Sequence, residues 1–315
     1  MNQLYSIIIC TCNRSDLVIE ALKTVSLLKT DGSFSYEVIV IDNSAQGTIK
    51  PSVDSVVSYF KNNILYSHEP QRGKSFALNH GLTLAKGDVV AFTDDDVVVP
   101  EDWLIQLNAK FDKYNCDGIG GRVLPIYPDN TPQWIKDNAV KLAGGVVIYD
   151  YGEGDFSYTP KSDYFPFIGA NFAFKRSVFD TCGPFRVDLG PGTPVIVGED
   201  TEMVERLAYH GKTLYYCGKV LIRHPVDLNR LRLKHMAKWH IALGRYAAKR
   251  EIENKVKISS YFFGIPRYLY KGIVFDGIKL LFSWYNQMLF LNAWRAFFRK
   301  VGLMKEYRLQ RGKST

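Results

Sequence analysis

The segment Val89–Asp96 reads VVAFTDDD, in which four apolar residues and a threonine lead directly into three aspartates. An apolar run of this length is typical of a strand that is buried on both faces of a parallel sheet. In such sheets, ligands bind beyond the carboxyl ends of the strands. The segment therefore predicts a buried strand over Val89–Thr93 with a polar site at its end, although an exposed acidic turn would have the same sequence.

The chain before this strand alternates short apolar runs with segments of helical periodicity. Strands and helices alternate, strand first, in the predicted order Tyr5–Thr11, Ser15–Leu28, Tyr36–Ile41, Pro51–Phe60, Asn63–Ser67 and Lys74–Ala85. This alternation predicts an α/β fold, in which an open, mostly parallel sheet carries helices on both faces.

The chain after Asp102 is more mixed. We predict helices over Trp103–Tyr114 and Glu199–His210, strands over Gly118–Pro125, Phe165–Phe174 and Thr213–His224, and surface loops with short elements over Asp129–Lys161. Pro184–Gly198 contains three glycines and three prolines, which predicts a mobile loop.

The three adjacent carboxylates of Asp94, Asp95 and Asp96 repel one another, so a folded site keeps them ionised only beside a compensating cation. Carboxylate oxygens select Mg²⁺ or Mn²⁺, ions that also bind phosphate oxygens. In an extended chain Asp94 and Asp96 point to one side and Asp95 to the other. The pattern therefore predicts two carboxylates near one metal-bound diphosphate.

A second acidic cluster, Gly198–Glu202, reads GEDTE and leads into a predicted helix. A carboxylate at a helix N-terminus can cap the helix, where the helix dipole favours negative charge. The same carboxylate can act as a general base at the mouth of a site. The residues alone leave both interpretations open for Glu199 and Asp200.

The formal net charge of +8 over 315 residues hides a division of the chain into two parts. Residues 1–227 contain 21 Lys and Arg against 28 Asp and Glu, whereas residues 228–315 contain 19 against 4. Five scattered cysteines, an odd number, argue against a disulfide framework and for a reducing compartment. No signal peptide is expected, and the most apolar stretch, Leu280–Trp294, is too short and too polar for a membrane span.

The basic segment Leu228–Thr315 is also rich in aromatic residues. One interpretation is a set of amphipathic helices on an anionic membrane, with aromatic side chains at the interface. Another is that the helices pack on the rest of the chain or form a homodimer. Nucleic-acid binding is not expected, because no recognisable binding motif accompanies the charge. Within the segment, Gly264-Ile265-Pro266 separates a helix over about Leu231–Lys255 from the apolar region.

Six segments together resemble one known family. They are SIIICTCNR (Ser6–Arg14), VIVIDNS (Val38–Ser44), RGKSFALNHGL (Arg72–Leu82), VAFTDDD (Val90–Asp96), GANFAFKR (Gly169–Arg176) and GEDTE (Gly198–Glu202). In this order and spacing they are similar to the family 2 glycosyltransferases, inverting enzymes with a GT-A fold. The resemblance extends over about residues 4–225. Each motif is weak by itself, but six in order are specific.

The resemblance implies a role for each matching position. The catalytic base would be Asp200, with Glu199 beside it, and the metal ligands would be Asp96, Asp94 and His224. The nucleotide-sugar would contact Thr11, Asn13, Arg14, Asp42, Gly73, Lys74, Asn79, Asp94 and Asp95. The donor sugar and the acceptor would lie against Gly169, Ala170 and Asn171.

Two positions depart from the family pattern. An Arg usually precedes the Asn at position 79, where this chain has Leu78, so Arg72 or Lys74 would supply the cation for the phosphates. An aromatic residue often precedes the Asn at position 13, where this chain has Cys12, so stacking on the base is not expected there.

These observations predict a GT-A catalytic domain over residues 1–227, with a nucleotide-binding half (1–100) and an acceptor half (101–227), followed by a helical membrane-associating extension over 228–315. The predicted enzyme is an inverting, Mn²⁺- or Mg²⁺-assisted glycosyltransferase of polysaccharide or cell-envelope biosynthesis. It would use a UDP-sugar by preference, act on a glycan or lipid-linked hydroxyl, and lie peripherally on the cytoplasmic face of a membrane. Two alternatives remain: a non-catalytic nucleotide- or membrane-binding protein with this fold, and a nucleotidyltransferase.

Overall fold

The structure is a computed structural model that describes residues 3–61, 63–142, 145–162 and 165–311. It divides into two compact units, which are described separately below. Unit 1 comprises Met1–Val187 and Glu199–Asp227, and unit 2 comprises Asp188–Gly198 and Leu228–Thr315.

Unit 1 is built on one eight-stranded sheet. Its strands are β1 (Gln3–Thr11), β2 (Phe34–Asp42), β3 (Ile64–His68), β4 (Val89–Asp94), β5 (Gly118–Ile126), β6 (Asp155–Tyr158), β7 (Asn171–Lys175) and β8 (Leu214–Pro225). Their order in space is β3-β2-β1-β4-β7-β5-β8-β6, and only β7 and β6 run antiparallel to their neighbours. The prediction of an open, mostly parallel sheet is confirmed.

Alternating side chains of the central strands fill two separate cores, one on each face of the sheet. In β1, Ile7 and Ile9 enter one core and Ile8 enters the other, as the two-residue period of a strand requires. The described residues of unit 1 form seven helices: α1 (Ser15–Ser26), α2 (Lys50–Asp54), α3 (Lys74–Leu84), α4 (Trp103–Tyr114), α5 (Gln133–Asp137), α6 (Ser177–Cys182) and α7 (Glu199–Tyr209). α1 and α4 pack into the first core, and α3 and α7 into the second. Helices on both faces are therefore confirmed.

Two local predictions for unit 1 were wrong. The helix expected over Pro51–Phe60 ends at Asp54, and a 3₁₀ turn over Val57–Tyr59 follows, because the segment is rich in valine and serine, which are poor helix formers. The strand expected over Phe165–Phe174 begins only at Asn171, after a turn in which the Asn171 N–H donates to the carbonyl of Ile168. The short elements expected among the loops of Asp129–Lys161 are α5 and β6.

Unit 2 contains three long helices and a short hairpin. They are α8 (Leu233–Glu253), β9 (Tyr261–Phe262), β10 (Ile265–Pro266), α9 (Arg267–Phe282) and α10 (Gln287–Arg311). The segment Asp188–Gly198 belongs to this unit, because its buried Leu189 and Val195 pack against Tyr246 of α8. Among the described residues, no helix has the length and apolar content needed to cross a bilayer.

Glycines allow α8 and α10 to approach each other closely. A Cβ atom on Gly244 of α8 would overlap the carbonyl oxygen of Arg299, and one on Gly302 of α10 would overlap that of Ile241. Two backbones meet at this crossing, so neither neighbour can move aside as a flexible side chain would.

We expect Gly244→Ala to lower the free energy of unfolding of unit 2 by about 2–3 kcal/mol, because the two helices must separate to admit the methyl group. Gly277→Ala in α9 is the matched control, since its Cβ would only touch the Phe297 ring at 3.8 Å. The control should be neutral or up to about 1 kcal/mol more stable, as expected for Gly to Ala in a helix. Urea unfolding of the two variants measures the difference, and equal stabilities would contradict the close crossing.

Candidate functional site

The polar residues of unit 1 gather at the carboxyl ends of β4 and β8 and at the N-terminus of α7. Asp94 is the last residue of β4, and Asp96 follows it by two positions. His224 lies near the end of β8, and Glu199 and Asp200 begin α7. This is the edge of the sheet at which ligands of parallel α/β folds bind.

Asp94, Asp96 and His224 form one cluster of potential metal ligands, whose ligand atoms all lie within 4.8 Å of one another. The Nδ1 atom of His224 lies 2.8 Å from the carbonyl oxygen of Pro225. A carbonyl oxygen only accepts, so Nδ1 carries a hydrogen, and Nε2 faces Asp96, to which it donates when the ring is protonated and offers a lone pair for a metal ion when the ring is neutral. Two carboxylates with one oriented imidazole fit a divalent cation such as Mn²⁺.

The ionisation of His224 depends on Asp96. Nε2 of His224 lies 3.3 Å from Oδ1 of Asp96. Burial disfavours the protonated imidazole, but the hydrogen bond to Asp96 and its charge outweigh burial and raise the pKa of His224. A proton and a metal ion would therefore compete for the space between these two side chains.

Asp95 and Asp96 lie in a turn directly after β4, so the alternation expected for an extended chain does not continue past Asp94. Asp95 is buried, and its Oδ1 atom accepts a hydrogen bond of 2.9 Å from Nη1 of Arg14, which also reaches Oδ2 of Asp96 at 3.1 Å. Burial raises the pKa of Asp95, and the Arg14 charge opposes that rise. Arg14 thereby ties the loop after β1 to the aspartates after β4.

Lys74, the first residue of α3, connects the metal-ligand cluster to the acidic start of α7. Its Nζ atom lies 2.5 Å from Oδ1 of Asp94. Although burial opposes the charged amine, Asp94 and Glu199 outweigh burial and raise the pKa of Lys74. A Cβ atom on Gly169 would lie 3.3 Å from this Nζ and 3.8 Å from Oδ2 of Asp200, so the amine and the aspartate both lie beside Gly169.

The carboxylate of Asp200 is oriented by backbone N–H groups. The N–H of Gly169 donates to Oδ2 at 3.1 Å, and the N–H of Thr201 donates to Oδ1 at 2.7 Å. The adjacent Glu199 is 7% exposed, and its burial and the charge of Asp200 raise its pKa, with Lys74 opposing the rise. Burial thus disfavours the anion of Glu199, whereas the Asp200 side chain is held in place by N–H donors.

The raised pKa of Glu199 predicts a pH-dependent stability. Above the ordinary Glu pKa of 4.5 the unfolded chain loses this proton while the folded chain keeps it, so the free energy of unfolding falls as pH rises. We expect Glu199→Gln to raise stability by about 1–3 kcal/mol at pH 8 and to change it little at pH 5. Urea unfolding at both pH values tests this, and an equal effect at the two pH values would contradict it.

The predicted nucleotide-base region is held by hydrogen bonds around Asp42 at the end of β2. Asp42 is fully buried and accepts from the N–H groups of Ile49 (2.8 Å) and Ser44 (2.9 Å) and from the Tyr66 hydroxyl (3.0 Å). Burial opposes its ionisation, but these donors outweigh burial and lower its pKa. Through these hydrogen bonds, Asp42 holds the backbone of the 44–49 loop at both of its ends.

Two loops beside this region need unusual backbone conformations. Asn13 adopts φ 55°, and Gly73 adopts φ 143°, a value that favours glycine. The Gly73 N–H donates to Oδ1 of Asn43 at 3.0 Å, while Nδ2 of Asn43 donates to the carbonyls of Glu69 and Gln71. Asn43 thus holds the backbone of residues 69–73, which leads into α3.

Other predicted site residues are engaged inside the fold. Nδ2 of Asn79 donates to the carbonyl of Phe185 at 2.8 Å, and Oδ1 of Asn79 accepts from the Phe185 N–H at 2.8 Å. Both polar atoms of this side-chain amide therefore have partners. The fully buried Asn171 accepts from Trp103 Nε1 and donates to two carbonyl oxygens, while Ala170 and Thr11 are also buried. Of the segment Gly169–Asn171, only Gly169 is partly exposed.

The sequence interpretation missed Asn43 and Tyr66. Asn43 lies inside a motif whose Asp alone was assigned a role, and its position directly after a buried strand was a usable signal. Tyr66 had no such signal, because the pairing of β3 with β2 brings its hydroxyl to Asp42.

Comparison with known proteins points to one family. The sequence model described as Glycosyl transferase family 2 matches residues 6–183. The succinoglycan biosynthesis protein ExoM of Rhizobium meliloti is 26% identical over 238 residues, which cover 75% of this chain and 72% of ExoM. A glucosyl-dolichyl phosphate glucuronosyltransferase of Haloferax volcanii is 30% identical over 129 residues, 40% of this chain and 39% of that protein.

Solved structures share the fold at low sequence identity. The mannosyltransferase PcManGT from Pyrobaculum calidifontis, in complex with GDP-Man and Mn²⁺, has a TM-score of 0.55 and 18% identity, over 96% of this chain and 74% of that chain. S. aureus TarS 1-349 in complex with UDP-GlcNAc has a TM-score of 0.52 and 14% identity, over 97% of this chain and 92% of that chain. The expectation of a GT-A-type α/β fold is confirmed.

Proposed function

The chain belongs to glycosyl transferase family 2, and from that membership we propose that it transfers a sugar from a nucleoside diphosphate sugar to an acceptor hydroxyl, with inversion at the anomeric carbon. The observation that carries the proposal is the cluster of Asp94, Asp96 and His224, whose Asp94 pairs with Lys74, together with Asp200 at the same Gly169 as that lysine. These are the parts that a nucleotide-sugar displacement needs: a site for the diphosphate and a base for the acceptor.

Asp200 is the general base in this proposal. It would take the proton from the acceptor hydroxyl while that oxygen attacks the anomeric carbon from the side opposite the leaving diphosphate. The N–H donors from Gly169 and Thr201 hold its carboxylate in place, so that little reorganisation is needed when the proton arrives. Glu199, which burial favours as the neutral acid, serves to position its neighbour.

The metal of this proposal is Mn²⁺ or Mg²⁺, held by Asp94, Asp96 and His224. When bound, it would supply positive charge to the leaving nucleoside diphosphate. Lys74 already holds Asp94 in place and contributes a second positive charge at the same edge. Arg14 orients Asp96, and exposed Arg72 is the further cation on the loop before α3.

The nucleoside would lie over the loops after β1 and β2. Asn13 and Arg14 line the first loop, with Thr11 beneath it, and the N-terminus of α3 at Gly73 and Lys74 favours an anion. Asp95 supports this region through Arg14, and Asn79 supports it through the Phe185 backbone. The donor of this proposal is a UDP-sugar by preference; TarS was solved with UDP-GlcNAc and PcManGT with GDP-Man, so the test includes donors with both bases.

The acceptor of this proposal is a glycan or a lipid-linked glycan in polysaccharide or cell-envelope biosynthesis. Support comes from two relatives, one named for succinoglycan biosynthesis and one for action on a dolichyl phosphate sugar. We place the enzyme at the cytoplasmic face of a membrane, a location that agrees with the basic segment 228–315.

The alternatives lose support at specific residues. A nucleotidyltransferase would use a Gly-rich phosphate loop after its first strand, and Thr11–Asp16 contains no glycine. A non-catalytic relative would not need Asp94, Asp96, Glu199 and Asp200 together.

Transfer of labelled sugar tests the proposal. The full chain is incubated with Mn²⁺, labelled UDP-, GDP- and dTDP-sugars, and either lipid-linked saccharides or polysaccharide fragments. We expect label in one acceptor class, with the anomeric configuration of the product, read by NMR, opposite to that of the donor. Retained configuration would overturn the single-displacement mechanism, and release of pyrophosphate from an NTP and a sugar 1-phosphate in a parallel incubation would support the nucleotidyltransferase.

A further inference from the structure

Helix α9 of unit 2 has an apolar outward face. Val274, Phe275, Ile278, Leu281 and Phe282 are exposed, and Trp284 and Tyr285, directly after the helix, are 79% and 70% exposed. We call these seven residues the α9 face. The inward positions of the helix include Leu269 and the charged Asp276, both buried. An ordinary surface helix has the reverse arrangement, with its apolar stripe inward and its polar residues in water.

The α9 face continues onto the neighbouring hairpin. The hydroxyl of Tyr270 donates to the carbonyl of Phe262 at 3.1 Å, and their rings lie 5.7 Å apart. Phe262 and Phe263 at the tip of this hairpin are exposed as well. The apolar surface of unit 2 is therefore contiguous rather than a set of isolated side chains, and such patches mark interaction sites.

Positive charge surrounds this apolar surface. Arg267, Lys271 and Lys279 are exposed on α9 itself, and Nζ of Lys279 lies 4.4 Å from the Phe275 ring centroid. Unit 2 has five acidic residues against 19 Lys and Arg, and two of the five are buried: Asp276 pairs with Lys300, and Glu306 pairs with Arg245 at 2.8 Å. The net charge that reaches the outer surface is therefore strongly positive.

We propose that the α9 face docks unit 2 onto an anionic lipid bilayer, with α9 lying in the plane of the headgroups. At 16 residues the helix is about 24 Å long, which suits a position along the surface rather than across the bilayer. Aromatic side chains enter the interface, while Lys271 and Lys279 extend their amines to anionic headgroups. The membrane location proposed above rests on the basic segment 228–315 as a whole, whereas this inference assigns the membrane contact to the α9 face.

The charge pattern favours lipid over a second copy of this chain. Two copies that met through the α9 face would bring Arg267, Lys271 and Lys279 of each copy close together, with no exposed acidic partner on the helix. Like charges at such an interface repel each other. An anionic bilayer supplies the opposite charge and an apolar layer together.

Vesicle flotation of the full chain tests the inference without any sugar transfer. Vesicles are made of phosphatidylcholine alone or of an equimolar mixture with phosphatidylglycerol. We expect binding to the anionic vesicles, and a loss of at least about tenfold in partition coefficient for Phe282→Ser/Trp284→Ser. Lys271→Glu/Lys279→Glu should lose a similar factor on anionic vesicles only.

The matched control is Val140→Ser/Tyr209→Ser, which removes two exposed apolar side chains of unit 1 and should bind like the unaltered chain. Circular dichroism confirms that each variant is folded. Equal flotation of all variants would overturn the inference. A dimer that is detected by sedimentation without lipid, and that dissociates in Phe282→Ser/Trp284→Ser, would also overturn the inference. Failure of sugar transfer with normal flotation would instead count against the proposed function alone.

Discussion

Asp200→Asn is expected to lower kcat by about 10³, within the range of 10²–10⁴ that general-base assistance contributes. The amide has nearly the shape of the carboxylate and can still accept the N–H of Gly169 through its oxygen. It cannot take a proton from the acceptor hydroxyl. Donor binding depends on other residues, so the KM for the nucleotide-sugar should stay within about twofold.

The control for this prediction is Asp180→Asn, which makes the same chemical change on the exposed side of α6. Steady-state kinetics with both variants should show the loss only at position 200. A kcat for Asp200→Asn within a few fold of the unaltered enzyme would exclude Asp200 as the base. Glu199 would then be the next carboxyl to test.

Asp96→Asn is expected to lower the affinity for Mn²⁺ about a hundredfold or more and kcat/KM by about two to three orders of magnitude. Asp96 lies between His224 and Arg14, with contacts of 3.3 Å and 3.1 Å. An amide oxygen supplies no charge to the cation, so the ligand cluster loses one of its two anions. Chelation of the unaltered enzyme with EDTA should cause a comparable loss that Mn²⁺ reverses.

Isothermal titration with Mn²⁺ separates this effect from unfolding, with Asp129→Asn as the control at an exposed position. His224→Gln provides a second variant, because it removes the nitrogen ligand and leaves both carboxylates. The control should bind Mn²⁺ normally. Unchanged Mn²⁺ affinity in both Asp96→Asn and His224→Gln would contradict the assignment of this cluster to a metal.

The strands and helices of unit 1 could largely be predicted from the sequence, because the pattern of apolar residues that defines each of them lies within a few neighbouring positions. The apolar run before Asp94 and its counterpart in β1 each define a strand by themselves, and their polar ends fall at one edge once the strands are parallel. Such features depend on neighbours within about one helical turn or one strand.

The features that sequence did not predict depend on contacts between distant residues. Asn79 and Phe185 meet only because α3 packs near the end of α6, and Asn171 fills its hydrogen bonds from Trp103. The segment Asp188–Gly198 contains loop-forming residues, yet its Val195 and Leu189 pack in a hydrophobic cluster with residues of α8. Local propensity indicates the helix, strand or loop that contains each of these residues, but not the distant residue that it contacts.

Release of nucleoside diphosphate from a panel of UDP-, GDP- and dTDP-sugars, measured with and without Mn²⁺, tests the central claim most directly. It needs no knowledge of the acceptor, because water can replace the hydroxyl slowly. We predict release from one class of donor, dependent on Mn²⁺ and abolished in Asp96→Asn. Absence of release from every donor, together with no Mn²⁺-dependent binding of any nucleotide, would contradict the account.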